Sequence, residues 1–262
     1  MFDYIDIHSH LYFPDFDADR EGEIAKLKEQ KIATITVGVD FESSKKAVQL
    51  VQDNLFATVG QHPEDVTRNS VFDERIAGLI NPKVAAIGEC GLDYFREAGD
   101  DMELRKVQKN IFERQIHLAL EKNLPLMLHI RPQKEKGSMD AYEDALDILE
   151  SYSGKLKGNA HFFVGTVPIL KRFLNIGFTV SFSGVITFAH DYDPSVKYVP
   201  LDMVMSETDS PFVSPMPFRG KRNSPLHIPE IVRKIAEIRG EDFETVRKQL
   251  LKNAERVFKI SL

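Results

Sequence analysis

The chain has 262 residues, 42% hydrophobic and 28% charged, with a formal net charge of −6 and one cysteine. This balance supports a sizeable core, argues against a generally basic nucleic-acid coat, and excludes both an intrachain disulfide and a thiolate-rich zinc cluster. The start lacks a basic segment followed by an apolar one, and no apolar run reaches membrane-spanning length. The expectation is a cytoplasmic protein with no membrane role and no obligate protein partner.

Eight short apolar, β-branched runs recur in chain order, at 4–8, 33–38, 55–60, 83–89, 124–130, 157–163, 178–184 and 202–207. Amphipathic stretches separate them. The longest, 101–123, carries Ile111, Phe112, Gln115, Ile116 and Ala119 along one helical face. Residues 226–260 read as two closing helices. Strand–helix alternation repeated eight times predicts an α/β chain folded as one TIM (β/α)8 barrel over residues 1–262, with its chemistry at the C-terminal ends of the strands.

Those strand ends carry a particular set of residues. The first run ends in His8 and His10, two positions on one face of a strand. The third leads into "GQHP" with His62, and the fourth into "GECGLDY" with Glu89. The fifth ends in His129 and Arg131, the sixth in His161, and the eighth in "ETDSP" with Glu207 and Asp209. Imidazoles and carboxylates without thiolates suit zinc, manganese, nickel, cobalt or magnesium. The pattern predicts two divalent metal cations, the first held by His8, His10 and Asp209 and the second by His129 and His161, with Glu89 bridging. A water shared by cations about 3.5–4 Å apart ionises near neutral pH. Asp209 is expected to take its proton and return one to the leaving group.

The bland alternatives stand beside this reading. A lone HxH is weak, Glu89 alone can pair with an arginine such as Arg131, Asp209 can cap a turn, and "GQHP" can be only a turn. On the substrate side, Arg219 and Arg222 in "PFRGKRNSP" suit phosphate oxygens, or else anchor their loop to a carboxylate. His62 and Arg131 are placed to contact the scissile phosphate or leaving oxygen. Tyr94 and Phe95 can stack a base or simply pack. Asp93 reads as a holder of its loop or of a ligand histidine. Cys90, alternating with Glu89, should face the helices. His117, in a helix, and His190, in a loop, receive no role.

The series "DIHSH", "GQHP", "GECGLDY", "LHIR", "AHFFVG", "VSFSGVITF", "SETDSPF" and "RGKRNSP" resembles, in order, the motifs of the TatD family of metal-dependent deoxyribonucleases, from Ile5 to about Phe258. The resemblance implies a TIM barrel of the amidohydrolase superfamily. It also implies a hydrolase of phosphodiesters, often a 3′→5′ exonuclease acting on DNA ends or single-stranded DNA. Matched motif by motif, it implies metal ligation by His8, His10, Glu89, His129, His161 and Asp209. A small ester, amide or phosphoester substrate is the alternative, and a non-catalytic metal-binding adaptor a more distant one. The chain departs from the family in two places. "HIRPQKEKGSMDAYED" replaces a pattern like "HSRDA", and "HFFVG" replaces one like "HCFSG", which puts Phe162 and Val164 where small polar residues stand.

Overall fold

The computed structural model describes residues 2–95, 101–152 and 154–262. Eight parallel strands form one sheet in sequence order: β1 (Tyr4–Ser9), β2 (Ile32–Val37), β3 (Leu55–Val59), β4 (Val84–Asp93), β5 (Leu126–Arg131), β6 (Gly158–Ala160), β7 (Thr179–Phe182) and β8 (Val204–Ser206). All eight expected runs are present, and the architecture is the TIM barrel. The ring closes through few backbone bonds. Asp209 N–H donates to the His8 carbonyl (2.9 Å) and His10 N–H to that of Ser210 (2.8 Å). Asp6 reinforces the seam by accepting from Thr208 N–H at 2.8 Å.

Helices α1 (Arg20–Glu29), α2 (Phe41–Gln49), α3 (Met102–Lys122), α4 (Asp140–Glu150), α5 (Val167–Asn175), α6 (Asp193–Tyr198), α7 (Ile228–Arg239) and α8 (Phe243–Phe258) accompany the strands. The two closing helices expected in 226–260 are α7 and α8. Alternation fails once: the β3–β4 connection holds only a 3-10 turn at Glu74–Leu79. Pro63 and Pro82 lie near the two ends of that connection, where neither can sit inside a helix without losing a backbone hydrogen bond.

Strands such as "IATITV" of β2 are buried throughout, as in a parallel sheet covered on both faces. The main core gathers strand side chains such as Leu55, Val84 and Leu126 against Ile111, Phe112 and Ile116 of α3. Cys90 lies in this cluster, fully buried among the helix-facing residues, as its alternation with Glu89 predicts. Local signals set the helix ends. Asp40 and Ser43 form a reciprocal capping box on α2, Asp101 accepts from Leu104 N–H at the start of α3, and Gly240 ends α7 with a left-handed φ of 66°. Among the described residues, no helix is long and apolar enough to cross a membrane.

Candidate functional site

The expected ligands meet at the C-terminal mouth. Glu89 is central and 3% exposed. Its Oε1 lies 2.8 Å from His161 Nε2, 2.9 Å from His129 Nδ1 and 3.3 Å from His62 Nε2. Its Oε2 faces His8 Nε2 at 3.3 Å and His10 Nε2 at 4.0 Å. Asp209 Oδ1 completes that side, 3.5 Å from His10 Nε2 and 3.7 Å from His8 Nε2. One carboxylate therefore turns one oxygen toward each group of imidazoles. The alternative pairing of Glu89 with Arg131 is not what the structure shows.

Local sequence explains why Glu89 reaches this place. The β4–β5 register shifts between Ile87 and Cys90. Gly88 and Gly91 flank that irregularity at φ +152° and +139°, and a Cβ on either would lie 2.4 Å from the Met127 carbonyl or 2.1 Å from that of His129. Only glycine lets the strand press this close to β5 while Glu89 turns into the mouth. Asp209, at φ 55°, is likewise left-handed, just beyond β8.

The hydrogen-bond partners assign the free nitrogens. His10 Nδ1 lies 2.9 Å from the Val37 carbonyl, which only accepts, so Nδ1 carries the proton and Nε2 its lone pair. His129 Nε2 meets Asp93 Oδ2 at 2.9 Å, leaving Nδ1 toward Glu89. His161 Nδ1 meets Glu207 Oε1 at 3.3 Å, leaving Nε2 toward Glu89. His62 differs. Its Nδ1 accepts the Glu64 N–H at 3.0 Å, so in the neutral ring Nε2 is a donor rather than a lone pair. This tautomer suits a contact to substrate oxygen, as the sequence predicts, better than metal ligation.

The donor set fits divalent cations. His8 Nε2 and His10 Nε2 stand 3.2 Å apart beside two carboxylate oxygens, an arrangement of electron-rich atoms that a cation between them would satisfy. Among the described residues, three triplets each bring their ligand atoms within 4.8 Å of one another: His8–His10–Asp209 and His8–His161–Glu207, which share His8, and His62–Glu89–His129.

Electrostatics follow the same division. Burial lowers His8, aided by neighbouring His161. Burial also acts to lower His129, but hydrogen bonds to Asp93 and Glu89 raise it to about 9. His161 is raised well above the usual imidazole range, because Glu89 and Glu207 outweigh burial. Burial pushes Glu89 upward, yet the surrounding His62, His161 and His8 hold it well below the usual carboxylate range. Asp209 is lowered too, its burial offset by His10 and His8.

Several supporting residues are invisible as such in the sequence. Glu207 accepts from Ser181 Oγ (2.6 Å) and Phe162 N–H (2.7 Å), and Ser181 in turn accepts from Asn159 Nδ2 (2.7 Å). Gln108 and Gln115, on the buried face of α3, clamp the two site loops. Gln115 pairs both ways with the backbone of Gln61 (2.8 and 2.9 Å), and Gln108 accepts from Asp93 N–H (3.0 Å). Sequence periodicity marks Gln115 only as part of an apolar stripe. A fully buried glutamine in such a stripe is the available signal.

Around the centre lies a cavity of about 580 Å³, lined by Phe13, Glu64, Asp65, Arg131, Phe162, Val164, Tyr192 and Phe212 besides His62 and the expected ligands other than His8. The other expected substrate residues lie elsewhere. Arg222 is engaged by Asp19, at 2.7 and 2.8 Å, and by the Asp15 carbonyl (2.7 Å), so it anchors its loop to the start of α1. Arg219 is exposed and lies over the Phe188 ring at 3.8 Å, outside the cavity lining. Tyr94 is fully buried with its hydroxyl on Asp144 (2.8 Å), so it packs and does not stack a base. Phe95 carries the Arg131 guanidinium over its ring at 3.7 Å. The residue after Arg222 in "RGKRNSP" is Asn223. It is completely buried, and it donates to the carbonyls of Thr208 (2.8 Å) and Phe212 (2.6 Å) behind Asp209. His117 and His190 lie outside the site, beside Tyr152 and Asp193.

Comparison with known proteins agrees with this geometry. The family model described as TatD related DNase matches residues 5–259. An uncharacterized metal-dependent hydrolase of Bacillus subtilis, YabD, is 35% identical over 98% of this chain and 99% of its own length. A protein of Pectobacterium parmentieri named 3′-5′ ssDNA/RNA exonuclease TatD is 30% identical over 98% of this chain and 99% of its own. Among solved structures, YjjV, a TatD homologue from Escherichia coli, superposes with a TM-score of 0.85 at 23% identity, covering 99% of each chain, and shows the common fold. The chain belongs to the TatD family of metal-dependent hydrolases.

Proposed function

We propose that this protein is a phosphodiesterase of the TatD-like deoxyribonuclease kind. It works with two divalent cations (zinc, manganese, magnesium, nickel or cobalt) and acts on DNA ends or single strands, with 3′→5′ polarity. The observation that carries the reading is Glu89. A carboxylate with one oxygen 3.3 Å from His8 and the other 2.8 Å and 2.9 Å from His161 and His129 has the disposition of a bridge between two cation sites. His8, His10 and Asp209 would hold one cation, His129 and His161 the other, with Glu89 shared. Bound there, the cations supply a nucleophilic water at neutral pH and draw charge from the phosphate.

The chain's own groups do the rest. Asp209, kept as a carboxylate by His10 and His8, lines the cavity and accepts the proton of the attacking water, then returns one to the leaving oxygen. His62, with Nε2–H facing the centre, donates a hydrogen bond to a phosphoryl oxygen, and Arg131 at the rim offsets the substrate's negative charge. The cavity volume is that of a site for one small ligand, which favours a strand end over a duplex. The relative named as an ssDNA/RNA exonuclease supports the substrate class.

Elemental analysis of the purified protein together with cleavage of end-labelled single-stranded oligonucleotides tests the reading. Two equivalents of cation and stepwise shortening from the 3′ end are expected. Turnover of small esters alone, or none on any phosphodiester, overturns it.

A further inference from the structure

Two consecutive phenylalanines are placed in opposite ways. Phe163 is 1% exposed and packs among rings, 5.5 Å from Tyr142 and 6.1 Å from Phe173. Phe162 is only partly buried and lines the mouth beside His161 and Arg131. Its backbone is left-handed, at φ +45°, a region that bulky side chains seldom occupy. Nothing in the packing of the core requires this, since Phe163 already fills the core position.

The strained backbone is held from below. Phe162 N–H donates to Glu207 Oε1 at 2.7 Å, and the same oxygen faces His161 Nδ1 at 3.3 Å. One buried carboxylate thus fixes both the imidazole and the backbone that carries the neighbouring ring, so ring and histidine keep a constant relation, their centroids 6.2 Å apart. Val164, Tyr192 and Val213 also line the cavity, as do Phe13 and Phe212, while Arg131, the histidines and the carboxylates Glu64, Asp65, Glu89 and Asp209 supply its polar part. A bare phosphodiester has no surface to offer the apolar lining. A nucleobase does, and stacking on an aromatic side chain tolerates any base.

We propose that Phe162 is a specificity-determining residue whose ring receives the nucleobase next to the scissile phosphate. The inference rests on the phosphodiesterase reading above and adds to it a preference for nucleotides over base-free phosphoesters.

Calorimetric titration of the metal-loaded protein with dAMP and with 2-deoxyribose 5-phosphate tests it, alongside cleavage of an end-labelled oligonucleotide. Wild type and Phe162→Tyr should bind dAMP about tenfold more tightly than the sugar phosphate. Phe162→Asn, whose side chain tolerates the left-handed region, should bind the two alike. Phe162→Leu, which keeps the bulk without the π face, should lose most of the preference and decides the matter if the asparagine variant does not fold. A preference that survives in Phe162→Leu and Phe162→Asn, or its absence from wild type, overturns the proposal whatever the nuclease assay gives. A Phe162-dependent base preference without cleavage of any oligonucleotide supports the stacking role and removes the phosphodiesterase reading instead.

Discussion

The two halves of the candidate centre are supported by different means. On the β5–β6 side, His129 and His161 each rest on a carboxylate, Asp93 at 2.9 Å and Glu207 at 3.3 Å. On the β1–β8 side, His10 rests on the Val37 carbonyl, and His8 Nδ1 is buried with no hydrogen-bond partner among the described residues. Carboxylate support makes an imidazole more basic and fixes its orientation, whereas burial alone does the reverse. His129 and His161 are accordingly raised and His8 lowered. The lesson is that the imidazoles around Glu89 are unequally supported, with Glu89 as the group that faces both halves.

Removing that common group should have the largest effect. Glu89→Ala is expected to lower turnover by about a thousandfold or more and to drop bound metal below one equivalent, with the far-UV spectrum unchanged. Wild-type turnover with a full metal complement would end its assignment as a bridge. Asp209→Asn should cost about a hundredfold or more in kcat while the β5–β6 side still binds a cation, measured by elemental analysis against activity.

The supporting carboxylates sharpen the contrast. Asp93→Asn and Glu207→Gln should each weaken metal affinity about 10- to 100-fold, on the β5–β6 side alone. Equal loss on both sides would show that the halves are not separately supported. The pH dependence should be unequal as well. A cation must displace the protons that His129, at about 9, and His161 favour when paired with carboxylates. Affinity on that side should therefore fall steadily as pH drops below about 9. The His8 side, with its imidazole lowered, should hold its affinity further into acid. Competition titrations with a metal-sensitive dye at several pH values would reveal a single common profile if this is wrong.

The smallest effect is expected at Arg222. Its ion pair with Asp19 is solvent-exposed, so Arg222→Ala should shift the denaturant midpoint only slightly and leave KM for an oligonucleotide unchanged. A tenfold rise in KM would restore the phosphate-contact role that its sequence context suggests.

Much of the site was legible because a barrel gathers strand ends. The residue types at those ends, His8, His10, Glu89, His129, His161 and Asp209, name their own chemistry, and the fold needs only to close for them to meet. Arg222 shows the limit. A guanidinium suits a phosphate and a carboxylate equally, and only the approach of α1 decides between them. Glu207 was visible beside Asp209, but its task was not. Two residues apart, they differ because Asp209 takes a left-handed backbone into the cavity while Glu207 stays fully buried beneath His161. The missing helix between β3 and β4 was hidden for a simpler reason: residues 60–83 scatter apolar side chains such as Val66, Phe72 and Ile76 among polar ones, a pattern that reads alike as an irregular loop or as a weak helix.

By itself, the sequence determined the barrel, the list of donors and the end of the barrel where they lie. Periodicity and strand-end position are local properties carried by the chain order. The tertiary structure decided which nitrogen of each imidazole is free, which carboxylate stands among the imidazoles and which lies behind one of them, and which of two adjacent phenylalanines faces the cavity. Those choices depend on distances of about 3 Å between residues up to some two hundred positions apart, such as Asp6 and Thr208 at the barrel seam. Such distances exist only once the ring has closed.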